Sequence, residues 1–150
     1  MKQTTFANTG FELVTKRTRK REFLEEMNLV VPWTELVALI QSHAPASKTG
    51  RPPFPVSTML RIHFMQQWFG LSDPAMEEAL HDMALFREFA QLDAGATRLP
   101  DESTILRFRH LLEAHNLAAQ MLASVNAQLI TLFALSNLWM VRKRILASNG

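Results

Sequence analysis

The chain has no cysteine among its 150 residues. That absence excludes a disulfide framework, a thiolate zinc site and a cysteine nucleophile. It also suits a cytoplasmic protein, the expectation taken here. Glycine is scarce: five residues, scattered singly. No glycine-rich loop can therefore cradle a phosphate with its backbone N–H groups, and no G-x-S-x-G elbow is present. Strand signals are missing as well, with no alternating Val/Ile/Thr run to pair across a hairpin. The first residues, "MKQTTFANTGFELV", lack the continuous apolar core and small-residue cleavage site of a signal peptide. The most apolar segment, Ile130–Val141, contains Thr131, Ser136 and Asn137. It falls short of the roughly 20 apolar residues that cross a bilayer, so no membrane partner is expected.

What remains is helical periodicity. Hydrophobic residues make up 47% of the chain, enough for a real core. They recur at three- and four-residue steps, which predicts an all-α fold of about seven helices. A first helix is expected over Lys16–Asn28, with Phe23, Leu24 and Met27 on one face. Pro32 opens a second, lined by Trp33, Leu36, Val37 and Ile40. Four prolines make "APASKTGRPPFP" an extended linker. The third helix, Val56–Phe69, aligns Met59, Leu60, His63, Phe64 and Gln67, and Gly70 stops it. Ser72 or Asp73 caps the fourth, whose Glu77 and Glu78 read as an exposed acidic face. "ALFREFAQL" is a short fifth and "DAGATRLP" a loop. Asp101 caps a sixth, buried along Ile105, Phe108, Leu111 and Leu112, and a seventh runs from about Leu117 to Leu146. Methionine and tryptophan on these faces read as core packing.

No enzymatic constellation emerges. The five histidines show no H-E-x-x-H spacing. Glu78 and Asp82 share a helix face, but a magnesium site draws carboxylates from several elements, and a solvated acidic face is the simpler reading.

Charge is more informative. Net charge is +2, with basic ends and an acidic middle. "KRTRKR" places Lys16, Arg17, Arg19, Lys20 and Arg21 in six positions, an electrostatic footprint for nucleic acid or a solvated helix start. Lys48 and Arg51 lie on the proline-rich stretch, which either follows a phosphate backbone or merely links two helices. On the sixth helix, Ser103, Arg107, His110 and Ala114 point away from the buried stripe, flanked by Arg109 and Glu113. That face suits major-groove reading, and equally an amphipathic helix with solvated arginines. About 20 residues separate this helix from the one that would cross behind it. A helix-turn-helix turn is about 3–4 residues, so the arrangement is a trihelical variant or no groove reader.

Two long blocks carry a resemblance. "GRPPFPVSTMLRIHFMQQWFGLSDPAMEEALHDMALFREFAQLD" and "LPDESTILRFRHLLEAHNLA" resemble the N-terminal region of IS-five-type bacterial transposases, the InsH-like N-terminal domain. "TTFA", "KRTRKREFLEEMNLVVPW" and the proline linker extend the likeness over about residues 3–129. The resemblance implies a helical DNA-binding head that grips transposon ends, ahead of a ribonuclease-H-like core. In the family that core holds divalent metal on two Asp and one Glu. This chain departs from the pattern at that point. After "SVNAQL" it runs into "ITLFALSNLWMVRKRILA", which resembles the extreme C-terminal helix of the same family. The expectation is a head, residues 1–129, fused to a tail remnant, residues 130–150, with the catalytic middle gone. Asp73, Asp82, Asp93 and Asp101 match head positions, so none is carried over as catalytic. No cofactor and no strand cleavage are expected. The tail is expected to pack on the head or to pair between chains, as a homodimer or with an intact transposase that it would inhibit. The alternative is a degenerate remnant with no role.

Overall fold

A computed structural model describes residues 16–44, 50–92 and 98–148. Within them lie seven helices and no strand, as the periodicity predicts. They are α1 (Arg19–Val30), α2 (Trp33–Gln41), α3 (Val56–Phe69), α4 (Asp73–Asp82), α5 (Ala84–Phe89), α6 (Glu102–Ala114) and α7 (Leu117–Ser148).

Local chemistry sets most boundaries. Helix α1 begins three residues later than expected, because the Thr18 hydroxyl accepts from the Arg21 N–H and so caps Arg19 onward. Gly70 ends α3 in the left-handed conformation at φ +62°, where a side chain would strain the backbone. Ser72, not Asp73, caps α4. The Arg87 guanidinium donates to the carbonyls of Leu80 and His81, both at 2.7 Å, and so satisfies the C-terminal end of α4.

Helix α3 is the centre of the molecule. The expected one-sided stripe is too narrow a description. Thr58, Met59, Leu60, Arg61, Ile62, Met65 and Gln66 are all buried, while Gln67 is exposed. The reason is that α2, α4 and α6 all pack around α3. Its rings extend the core: Trp68 and Phe69 meet Phe23 of α1 edge-on, and Phe69 stacks on Phe86 of α5 at 5.3 Å.

Arg61 is the unexpected core residue. It is 7% exposed and has no carboxylate partner among the described residues; its Nη1 donates to Asn28 Oδ1 at 2.8 Å and to the Phe89 carbonyl at 3.3 Å. The guanidinium lies 4.2 Å from the Trp33 ring centre and 5.0 Å from that of Phe89. Aromatic faces thus replace water around a cation whose pKa burial lowers. The same side chain lines a shallow cavity of about 200 Å³ with Arg21, Asn28 and Glu88.

Helix α7 changes character along its length. Leu117 and Met121 are buried, Val125 packs against the core, and Ser124 Oγ donates to Glu35 Oε1 at 3.1 Å. From Ile130 to Ser148 every residue is exposed. The expectation that the tail packs on the head is therefore wrong beyond Leu129. The rigid helix projects for about 28 Å. Trp139 and Met140, read from the sequence as core residues, are 62% and 50% exposed. By length and composition α7 is long and apolar enough to cross a membrane, despite its polar interruptions. The qualifying stretch is 11% buried, which fits Leu117 and Met121 and places it at the docked end of the helix.

Candidate nucleic-acid interface

The first turn of α6 is saturated by carboxylates. Asp101 accepts from the Thr104 N–H at 2.8 Å and from the Ser103 hydroxyl at 3.0 Å. Hydrogen bonding from the Thr104 side chain, then from its N–H and from Ser103, holds the Asp101 carboxyl down at about 2. Glu77 of α4 accepts from the Glu102 N–H at 2.8 Å. Part of the expected acidic face of α4 is thus used to close a neighbouring helix end. Asp101, Glu102 and Glu77 gather there and make this end of the helix negative.

Asp101→Ala should cost about 1 kcal/mol of stability at neutral pH, read by chemical denaturation. The carboxyl lies lower in the folded chain than its ordinary 3.8. Its contribution is therefore complete above pH 4 and disappears as pH falls from about 4 towards 2. Wild-type and variant stabilities should converge over that interval.

The side face of α6 is as the sequence predicts. Ser103, Arg107, His110 and Ala114 are exposed at steps of four, three and four. Arg107 makes no ion pair among the described residues. Arg109 has a different role. Its Nη2 lies 2.7 Å from Asp73 Oδ2, and the Asp73 side chain is only 13% exposed. Asp73 also accepts from Gln66 Nε2 at 2.9 Å. This network ties α3, α4 and α6 together. Together with the Glu77–Glu102 bond, it shows α6 running back past α4 in the opposite sense. Helix α5 occupies the long stretch of sequence between α4 and α6, which pack directly on each other.

His63 sits beside this network. Burial first, and then the Arg109 charge, hold its pKa below 6.5, and its Nδ1 has no partner among the described residues. The neutral ring is the folded form, so stability is complete above 6.5 and falls as pH drops below it. A His63→Leu variant should lack that decline between pH 6.5 and 5 in thermal melts.

Arg98, which the sequence reading left unmarked in a loop, places the linker. Its guanidinium stacks 4.1 Å from the Phe54 ring centre and donates to the Pro52 carbonyl at 3.0 Å. The exposed Arg51 is thereby held beside the segment leading into α6. Lys48 lies outside the described residues.

The basic cluster at the start of α1 is partly consumed. Arg17 pairs with Glu25 at 2.7 Å. Lys20 lies over the rings of Phe69 and Phe86 at 5.2 and 5.4 Å. Arg21 forms a two-pronged pair with Glu88 at 3.1 and 3.2 Å, which raises its pKa. Lys16 and Arg19 are exposed. The structure fixes this cluster to α5 and the end of α3, and Arg51 to the approach of α6. No contact joins the two groups among the described residues.

Two missed side chains had a visible signal. Arg61 sits inside "MLRIHFM" and Gln66 inside "FMQQWF", each polar within an apolar helical run. No local signal marks Arg98 or the pairing of Asp73 with Arg109. His43 and His115 stack at 4.5 Å, but no third ligand joins them: among the described residues no group of three or more His, Asp or Glu could hold a metal.

An all-helical domain whose sixth helix presents a short polar and basic face defines the structural class. Residues 12–111 match the family described as a transposase domain (DUF772), and the chain belongs to that family. No solved structure matches the chain.

Proposed function

We propose that this chain is a DNA-binding transposase fragment that grips insertion-sequence ends and does not cut them. The observation that carries the reading is the outward face of α6. Ser103, Arg107 and His110 are exposed there, while the neighbouring Arg109, its side chain 41% exposed, is held by Asp73. Arg51 and Arg98 lie beside the start of the helix, a place from which cations contact flanking phosphates. Lys16 and Arg19 add sequence-independent attraction from another element.

The finer identity, an IS-five-type head joined to the family's C-terminal helix, rests on the resemblance of residues 3–129 and of residues 130–148. The abrupt loss of burial at Ile130 supports it. A helix cut from a larger protein keeps an apolar face for a body that is no longer encoded. On this reading the metal-binding carboxylates of the family were lost with the middle. The fragment would act, if at all, by occupying ends or by pairing with an intact enzyme.

A supercoiled plasmid carrying the element ends tests this. The expected result is a gel shift without nicking in 5 mM Mg²⁺. Magnesium-dependent nicking or strand transfer by the purified chain would overturn it.

A further inference from the structure

The exposed half of α7 carries one stripe with no polar residue: Ala127, Ile130, Ala134, Leu138, Val141 and Ile145. Steps of three and four keep them on one side of the helix. The geometry points to a second copy of this chain as the occupant, with the two tails packed antiparallel about a two-fold axis at Ala134. This inference is independent of DNA binding.

Three features select that partner and that direction. First, the stripe is complementary to itself when reversed. With Ala134 on the axis, Ile130 faces Leu138 of the second copy, and Ala127 faces its Val141. The large Ile130 and Leu138 then pack on each other, Ala127 leaves room for Val141, and the small Ala134 sits where the helices are closest. A two-fold interface requires such self-complementarity.

Charge gives the direction. Helix α7 has no acidic residue and carries Arg142, Lys143 and Arg144 one turn before its end. A parallel pair would set two triple cations side by side. In the antiparallel pair the cations of each tip reach the base of the other tail. Ser124 and Arg142 stand about five whole turns apart, on the same flank of the stripe. A two-fold pair brings like flanks together, so Arg142 of one copy comes beside Ser124 of the other. Glu35 is held at that place, 3.1 Å from Ser124 Oγ.

Size is the third feature. Ile130, Leu138, Val141 and Ile145 are each more than half exposed. With Ala134 on the axis the two stripes overlap over residues 127–141, about 21 Å of helix, and cover on the order of 1,000 Å² in total, the lower bound of a specific interface. A bilayer is the weaker occupant: the stretch of α7 that passes for a membrane span includes the turns docked on the head.

The cysteine-free chain makes the register testable by single-cysteine disulfide trapping. Ala134→Cys should cross-link to itself. Ile130→Cys alone should not, because its two copies lie about 12 Å apart along the axis. A mixture of Ile130→Cys and Leu138→Cys should cross-link. Sedimentation at tens of micromolar should give a dimer for the wild type and a monomer for Leu138→Glu, both with unchanged circular dichroism. Arg142→Glu should weaken the dimer at least fivefold, and Glu35→Arg added to it should restore most of the affinity. A monomeric wild type overturns the inference, as does capture of the monomer by anionic lipid vesicles. Efficient cross-linking of Ile130→Cys to itself overturns the antiparallel register.

Discussion

Phe86→Ala should lower the unfolding free energy by about 3–5 kcal/mol, the largest loss expected from a single core truncation here. Helix α5 is six residues long, too short to be stable alone. It is held by Phe86, 1% exposed and stacked on Phe69, and by Phe89 under the Arg61 guanidinium. Removing the Phe86 ring leaves a cavity where α3, α4 and α5 meet and strips one of the two rings beneath Lys20. A fall in melting temperature of roughly 10–20 °C should follow. Phe86→Leu should cost about 1–1.5 kcal/mol. Denaturant titration of the three proteins checks the order, and equal losses for Leu and Ala would contradict the packing described.

The second large effect separates two arginines that stand two residues apart. Arg109→Ala should destabilise the chain by about 2 kcal/mol, because Asp73 would keep a poorly hydrated charge with only Gln66 to answer it. The Asp73→Ala/Arg109→Ala double variant should recover part of that loss, since no lone charge remains. Arg107→Ala should leave stability within about 0.5 kcal/mol of wild type. It should instead weaken binding to element-end DNA by about 1–3 kcal/mol and relax sequence preference. Thermal melts and binding isotherms on the same preparations read both effects. If Arg109→Ala melts like wild type, the network linking α3, α4 and α6 is not holding the fold.

Much of this architecture is legible from local chemistry. The extents of α3 and α4, the left-handed stop at Gly70 and the caps at Ser72 and Asp101 follow from residues within one turn of each boundary. The outward face of α6 follows from period alone, once Ile105, Phe108 and Leu112 point inward. Which arginine faces solvent does not. Arg107 and Arg109 flank Phe108 equally in the sequence. Only the arrival of Asp73, 36 positions earlier, engages one of them in an ion pair. The same holds for the "KRTRKR" cluster, where Glu88 and the rings of Phe69 and Phe86 claim Arg21 and Lys20 from a distance. Burial of α3 on nearly every side is equally non-local. An amphipathic pattern describes a surface helix, and α3 is surrounded.

The tail is the converse case. Its apolar run predicts burial, and the head supplies too little surface: α1, α2 and α6 cover only the first turns of α7. Whatever covers the remaining face comes from outside the head, and that is not a local property of the sequence.

The central claim is that a helical head with exposed cations grips DNA. Titrating labelled element-end duplex with the purified chain at 50 and 200 mM salt tests it most directly. Release of bound counterions predicts saturable binding at the lower salt and a loss of affinity of about 10–100-fold at the higher. Failure to bind at 50 mM, or an affinity indifferent to salt, would contradict it.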